Sequence, residues 1–402
     1  MGEKLSTREV TSCRACQCTE LQPVLDLGNH YVSEFLLPGD KPKGRAPLAL
    51  RYCERCGLVQ LSHLVDRDLL YRDYYYKSGT NESMVAALRN VVEDALGRVK
   101  LESNDYVIDI GANDGTLLGF YPKDIVKVGF EPSAVLAAEA ETRADCYVRT
   151  DYFPPPSLNV LQPMPAKIIT SIAMFYDLDD PAAFVRGIKE WLHPEGVWIL
   201  QMPDLWQMIA KNAFDNICHE HVCYWPTRTL YRFLLRHGLR IVQMTNVDVN
   251  GGSLRYIIKH APAQEWEEYS HSDYDKAIRA FGERITELKH DTKRLIRTLQ
   301  RHGKRIWGYG ASTKGNTLLQ FYGIGTGLVE AIAERNPRKW GRRTVGTNIP
   351  IVPEETMRQA RPDYLLVLPW HFLPSFRERE ATWEAGGGQW IVPLPDLKVI
   401  GG

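Results

Sequence analysis

The chain has 402 residues, 44% of them hydrophobic, and its 49 basic side chains balance 49 acidic ones for a formal net charge of zero. That length accommodates two or three domains, each burying its own core, and the balance excludes the one-sign field that steers a protein onto nucleic acid or an anionic membrane. No apolar run approaches the ~18 residues needed to span a bilayer and the first ten residues lack a signal-peptide core, so a cytoplasmic protein with neither nucleic-acid nor membrane partners is expected.

Five of the eight cysteines fall within the first 56 residues. "CRAC" at Cys13 and Cys16 and "CERC" at Cys53 and Cys56 are two Cys-X-X-Cys knuckles, and two such turns supply four thiolates to one tetrahedral zinc. The intervening loop is too poor in core residues to stand without such a staple. Free cysteines or a redox pair are the alternative, and Cys18 is a substitute ligand ranked below the four. A closed four-thiolate site leaves no open coordination position, so this zinc shapes residues 1–70 and performs no chemistry.

From about residue 105, short apolar runs alternate with longer helical stretches, an α/β pattern. The predicted strands are "YVIDIG", "VKVGFEP", "CYVRTDYF", "AKIITSIAMF", "GVWILQMP", "LRIVQMTNVDV" and "GGSLRYIIKH". The last two are joined by too few residues for a helix and must be antiparallel. Five strands with helical crossovers followed by such a pair is the layout of a class I S-adenosylmethionine methyltransferase over residues 71–262. In "VIDIGANDG" a strand ends at Asp109 and enters a loop with Gly111, Asn113, Asp114 and Gly115, where glycine lets backbone approach a ligand. The next strand ends in "GFEP", placing Glu131, followed by Pro132, where a carboxylate accepts both ribose hydroxyls of an adenosyl ligand. "RTDYF" puts Asp151 and Tyr152 at the third strand end, suited to the adenine amino group and ring face.

The fourth strand continues into "TSIAMFYDLDDP", with Tyr176 and Asp177, and lacks the Asn/Asp-Pro-Pro-aromatic turn of amino-methylating nucleic-acid enzymes. After the fifth strand, "FDNICHEHVCYW" lies at the sheet edge where α/β proteins bind ligands. Leu230, Phe233 and Leu234 have helical spacing and Gly238 closes the run, so a helix starts near Thr227 and "HEHV" precedes it as a loop. On extended backbone His219 and His221 point one way and Glu220 the other. Metal chelation, an unremarkable loop and acid/base chemistry are all readings of this cluster; the last is preferred, because histidine titrates near neutrality and an adjacent carboxylate orients it.

Residues 263–302 are charged with apolar residues at helical spacing and predict a linker helix. "KRIWGYGASTKGNTLLQ" then gives a strand, a loop with Gly308, Gly310 and Gly315, and a helix opening on Ser312, Thr313 and Lys314. Amides and a lysine at a helix start favour phosphate. Further strands complete a second, smaller Rossmann-like unit within 263–402.

Taken together, "CRAC…CERCGLVQL", "YYKSGT", "DIGANDG", "GFEPS", "RTDYF", "FDNICHEH", "NGGSLRY" and "GYGASTKGNT" make the chain resemble, over nearly its whole length, the nucleotide-sugar 3-C-methyltransferases of branched deoxysugar and antibiotic biosynthesis. The resemblance implies three domains, structural zinc, S-adenosylmethionine as methyl donor and a small-molecule substrate, a nucleotide-linked keto sugar, held partly by the C-terminal domain. It implies His221 as the base that removes a proton beside the ketone, Glu220 as an adjacent acid, Tyr75 or Tyr76 as a substrate-side tyrosine, and Gly310, Ser312, Lys314 and Asn316 as the loop near the sugar nucleotide. Better-known members have a histidine near Tyr176, here counted with the catalytic residues, and a tyrosine at Cys218, so the acceptor need not be their thymidine-linked hexose. Methylation of another small metabolite at carbon or oxygen, and ligand binding without catalysis, are the rival readings. A monomer is expected.

Overall fold

The computed structural model describes residues 5–71, 77–155, 165–249, 251–264 and 272–401. Tyr75 and Tyr76 lie outside the described residues. Near the N-terminus, β1 (Leu21–Tyr31), β2 (Arg45–Cys53) and β3 (Val59–Leu61) form an antiparallel meander, followed by the short helix α1 (Arg67–Tyr71). The Cys13 and Cys16 turn packs against the turn that begins at the end of β2, so all four knuckle cysteines are buried with their sulfur atoms within 4.8 Å of one another.

The central sheet is built from β4 (Tyr106–Ile110), β5 (Val126–Phe130), β6 (Tyr147–Arg149), β7 (Ala166–Ile172), β8 (Leu192–Met202), and the pair β10 (Leu239–Val247) and β11 (Ser253–His260). Its order is β10-β11-β8-β7-β4-β5-β6. Strands β4 to β8 run parallel, while β11 is antiparallel to both β8 and β10. This is the class I methyltransferase arrangement, with the switch in strand order between β4 and β7 opening a crevice at the carboxyl ends. Helices α2 (Glu82–Leu96), α3 (Ala134–Ala144) and α4 (Pro181–Trp191) cover it. Asp180 caps α4 by accepting from the Ala183 amide at 2.9 Å, with Pro181 in the first turn, which fixes where the chain leaves the crevice. Beneath α4, Phe130, Phe153 and Trp191 meet edge to face at 5.1 to 5.8 Å, each pair adding about 0.5–1.5 kcal/mol beyond simple burial.

The two residues of β9 (Cys223–Tyr224) leave the central sheet and pair antiparallel with β3, Cys223 opposite Gln60 and Tyr224 opposite Val59. The N-terminal sheet therefore reads β9-β3-β2-β1. Helix α5 (Thr227–Arg236) begins where the apolar spacing placed it, and the chain turns after it at Gly238 with φ +75°. The 30-residue α6 (Ser272–Arg301) buries Ile278, Phe281, Ile285 and Ile296 along one stripe, and Arg284 ties it to the Asn212 side chain and the Ile209 carbonyl.

The last sheet contains β12 (Ile306–Tyr309), β13 (Ile332–Glu334), β14 (Ile351–Pro353), β15 (Tyr364–Val367), β16 (Gln389–Val392) and β17 (Lys398–Ile400), in the order β14-β13-β12-β15-β16-β17. All pairs but β16 with β17 are parallel. Helix α7 (Thr313–Tyr322) follows β12, capped by Ser312 accepting from the Gly315 amide at 2.9 Å. Among the described residues no helix is long and apolar enough to cross a membrane.

Candidate active site

A single cavity of about 1900 Å³ opens at the carboxyl ends of the central and C-terminal sheets and is also walled by α1 of the N-terminal segment. Asp109, Gly111, Asn113, Glu131, Pro132, Asp151 and Tyr152 line one end of it. Tyr176, Glu220 and His221 line the middle, and Gly310, Ser312 and Lys314 the wall opposite.

At the first end, Glu131 sits just past β5. Its carboxylate accepts from the Asn113 amide at 3.0 Å and the Ser133 amide at 2.9 Å. Burial pushes its pKa above the ordinary value against the pull of these two amides. A carboxylate offers about four lone-pair positions, so two are left for a cis diol. Asp109 lies deeper, accepting from the Thr170 hydroxyl at 2.6 Å, and burial pushes it up to about 7. Asp114 does not line the cavity. It accepts from the Thr116 hydroxyl and the Gly79 amide, while Asn113 accepts from the Ser78 amide. The "ND" pair thereby fastens the segment leading into α2 against the glycine loop. Gly115 serves packing as well: at φ +75°, a Cβ there would stand 2.7 Å from the Ala140 backbone of α3. Asp151 is paired with Arg149 at 2.8 Å. The Tyr152 ring carries the Arg67 guanidinium 3.9 Å above its centroid, and its hydroxyl donates to Asp68, so α1 covers one face of the ring.

In the middle, residues 218 to 221 are a turn closed by the His221 amide donating to the Cys218 carbonyl at 3.2 Å. The alternation expected of extended backbone is therefore absent. His219 is buried towards the N-terminal sheet, with Nε2 3.2 Å from the Ala46 carbonyl, whereas Glu220 and His221 both reach the cavity. His221 Nδ1 is 2.7 Å from the Asn216 carbonyl. A carbonyl only accepts, so Nδ1 carries the proton and Nε2 keeps its lone pair. The ring stands edge-on to Tyr176 at 4.5 Å between centroids. Burial pushes His221 down to about 4, with the Asn216 carbonyl opposing and the Lys314 charge adding. Burial raises Glu220, and raises Asp177 well above the carboxylate range with the neighbouring Glu220 charge assisting. One oxygen each of Glu220, Asp177 and Asn216 is buried without a hydrogen-bond partner, and all three residues line the cavity. Such orphaned acceptors fit a polar ligand.

Lys314 enters from the first turn of α7, where burial lowers its pKa and the neighbouring Asp215 opposes the shift. Asp215 accepts from the Trp370 indole at 3.1 Å. Gly310, at φ +80°, would place a Cβ 2.7 Å from Pro369. Asn316 is not on the cavity wall. Its amide donates to the Ser33 hydroxyl and the Glu34 carbonyl, joining the C-terminal segment to the N-terminal one, because its position one turn into α7 faces that seam. Sequence reasoning passed over His371 and Tyr71, which also line the cavity. Burial, with Lys314 nearby, pushes His371 down to about 3, and the Tyr71 hydroxyl donates to the Glu220 carbonyl. A polar residue beyond the carboxyl end of β15 was the signal available for His371.

The four cysteines suit zinc. Cys13 and Cys56 sulfurs are 3.4 Å apart and Cys16 and Cys53 3.5 Å, a spacing compatible with one tetrahedral ion at about 2.3 Å from each. Among the described residues no other group of His, Cys, Asp or Glu assembles to hold a metal.

Three family models match in sequence: a zinc binding domain over residues 13–71, a methyltransferase domain over 81–244 and a C-methyltransferase C-terminal domain over 248–395. The chain is 28% identical over 411 residues to C-methyltransferase NovU of Streptomyces niveus, covering 98% of this chain and 97% of that protein. Among solved structures, a S-adenosylmethionine-dependent methyltransferase from Clostridium acetobutylicum aligns at TM-score 0.35 with 11% identity, over 48% of this chain and 95% of its own. Magnesium protoporphyrin IX methyltransferase from Synechocystis aligns at 0.38 with 12% identity, over 49% and 100%.

Proposed function

We infer the reaction from one premise: the chain belongs to the C-methyltransferase family that its sequence resembles, and is a zinc-containing, S-adenosylmethionine-dependent enzyme. The inferred reaction is methylation of a carbon beside the ketone of a nucleotide-linked keto sugar. The observation that carries it is the shared cavity, which joins the Gly111 and Glu131 end, the His221 and Glu220 turn and the α7 loop with Lys314. S-adenosylmethionine, when bound, supplies an electrophilic methyl group. Glu131 would accept its ribose hydroxyls, with Asp151 and Tyr152 towards the adenine.

His221 Nε2 takes the proton from the carbon, while the Asn216 carbonyl holds the ring and favours the imidazolium that forms. The C–H electron pair passes into the enolate, whose oxygen gains negative charge. Glu220, whose pKa burial raises, stands beside that oxygen, and in its protonated form it would donate a hydrogen bond that stabilises the negative charge as it develops. The enolate carbon would then form its bond to the methyl group as the methyl–sulfur bond breaks, the electron pair of that bond staying on sulfur so that neutral S-adenosylhomocysteine leaves, and the ketone is restored while the proton on His221 passes to solvent. Holding the two reacting carbons together contributes about 7–11 kcal/mol at best, the entropy of a bimolecular encounter. Lys314 would meet the anionic sugar nucleotide.

The test is incubation with S-adenosylmethionine and a panel of nucleotide-linked 4-keto sugars, read by mass. Gain of one methyl, with solvent deuterium entering beside the carbonyl when the donor is withheld, supports the reading. Methylation at oxygen without exchange would refute it.

A further inference from the structure

The first cysteine knuckle reaches the His221 turn through Arg14, the residue that follows Cys13. Its side chain is 4% exposed, and among the described residues its Nε, Nη1 and Nη2 atoms have no hydrogen-bond partner. The one carboxylate within ion-pairing distance there is Asp179, whose Oδ1 stands 3.3 Å from Nη2 and which lines the cavity. Arg8 also pairs with Asp179, from the exposed side. Asp179 follows Tyr176 and Asp177 in the stretch that leads to the α4 cap at Asp180. That stretch is held from its other side too: the Tyr176 carbonyl accepts from the Val222 amide at 3.0 Å, and the Val222 carbonyl accepts from the Leu61 amide of β3 at 3.0 Å. β3 is in turn fastened to the knuckle, because the Gln60 side chain accepts from the Arg14 amide and donates to the Ser12 carbonyl, both at 3.1 Å. The contacts close a ring, and His221 stands on it with its imidazole edge-on to Tyr176. A buried guanidinium with one ion pair and no hydrogen bonds adds little to stability, since its desolvation offsets the attraction. What it supplies is geometry.

We propose that Arg14 is a positioning residue: through Asp179 it holds the Tyr176–Asp179 stretch against the His221 turn, so the cysteine segment sets the spacing around the His221 ring. Its effect on turnover rests on the role given to His221 above; its effect on the turn does not.

The experiment compares full-length wild type, Arg14→Met, Arg14→Lys and Asp179→Asn, each with its zinc content measured. Hydrogen–deuterium exchange read by mass spectrometry follows the Val222 amide in peptides covering 216–225 and the knuckle amides in peptides covering 12–18 and 53–58. Arg14→Met and Asp179→Asn should keep the wild-type zinc content and knuckle protection while exchange at Val222 quickens about tenfold or more. Turnover should fall about tenfold or more, with acceptor KM and S-adenosylhomocysteine affinity within a few-fold of wild type. Arg14→Lys, which keeps the charge without the planar fork, should recover part of both losses. Val222 exchange within twofold of wild type in Asp179→Asn, a half-exposed position, overturns the proposal whatever becomes of Arg14→Met. Unchanged turnover in zinc-loaded Asp179→Asn overturns it as well. A wild type that exchanges no proton beside the ketone refutes the enolate reading instead, and the Val222 amide then decides this inference alone.

Discussion

Replacing His221 by asparagine separates chemistry from binding. The asparagine amide can still donate to the Asn216 carbonyl that the imidazole Nδ1 meets at 2.7 Å, so that side-chain contact is kept while the Nε2 lone pair is lost. Loss of a positioned general base costs 10²- to 10⁴-fold, about 2.7–5.5 kcal/mol of transition-state stabilisation. The stability cost should be far smaller, on the order of 1 kcal/mol from the lost edge contact with Tyr176. The assay is methyl transfer at saturating donor, with deuterium exchange beside the ketone in D2O, and titration with S-adenosylhomocysteine as a control. Turnover and exchange should fall together while donor affinity holds. Turnover within threefold of wild type would remove His221 from the reaction. The wild-type pH profile carries the sign of the same argument. A base acts when deprotonated, and burial pushes His221 down to about 4, so kcat/KM should stay level through pH 6.5 and fall only towards pH 4. Lys314 contributes to that depression. Lys314→Met should therefore move the acid limb upward, whatever it does to the rate.

Freshly purified protein should contain about one zinc per chain, and Cys53→Ser should lose both metal and thermal stability, since structural zinc contributes folding energy directly; elemental analysis showing almost no zinc in folded protein would refute the four-thiolate site. Glu131→Gln should weaken S-adenosylhomocysteine about tenfold or more by calorimetry, and an unchanged constant would remove the carboxylate from the ribose. Burial and the Glu220 charge hold the Cys218 thiol well above its ordinary pKa, so native protein at pH 8 should leave it unalkylated by iodoacetamide while denatured protein does not; prompt native labelling would contradict that environment. His30 and His219 are both pushed down to about 4 by burial. Their neutral forms favour the fold, so stability is full above about pH 6.5 and declines as pH falls towards 4, by on the order of a few kcal/mol for the pair. A midpoint of chemical denaturation that does not fall between pH 7 and 4.5 would disprove it.

The positions readable from sequence are those whose role is set by the backbone of their own strand. Asp109 is the next-to-last residue of β4, and Glu131 and Asp151 follow the ends of β5 and β6; strand ends are marked by apolar runs and glycine. Asn316, Asp114 and His219 were misjudged for a different reason. Each is polar and close to a motif, but the partner that decides its direction comes from a distant segment: Ser33, Gly79 and Ala46 respectively. The tautomer of His221 was also out of reach, because it depends on a main-chain carbonyl that carries no letter of its own. Gly310 looked like a ligand-facing loop residue, and the Pro369 contact shows that its missing Cβ is first a matter of packing.

The pairing of β9 with β3 has a consequence for anyone who would treat the chain as interchangeable modules. Cys223 and Tyr224 stand two and three residues after His221 and are hydrogen-bonded into the sheet whose β2 carries Cys53. A chimera joined at residue 71, or a truncation that begins there, would strip β9 of β3, its one strand neighbour among the described residues, and expose an unpaired edge beside the His221 turn. The cysteine segment and the His221 turn are one piece of scaffold split across two places in the gene, and they have to be exchanged together.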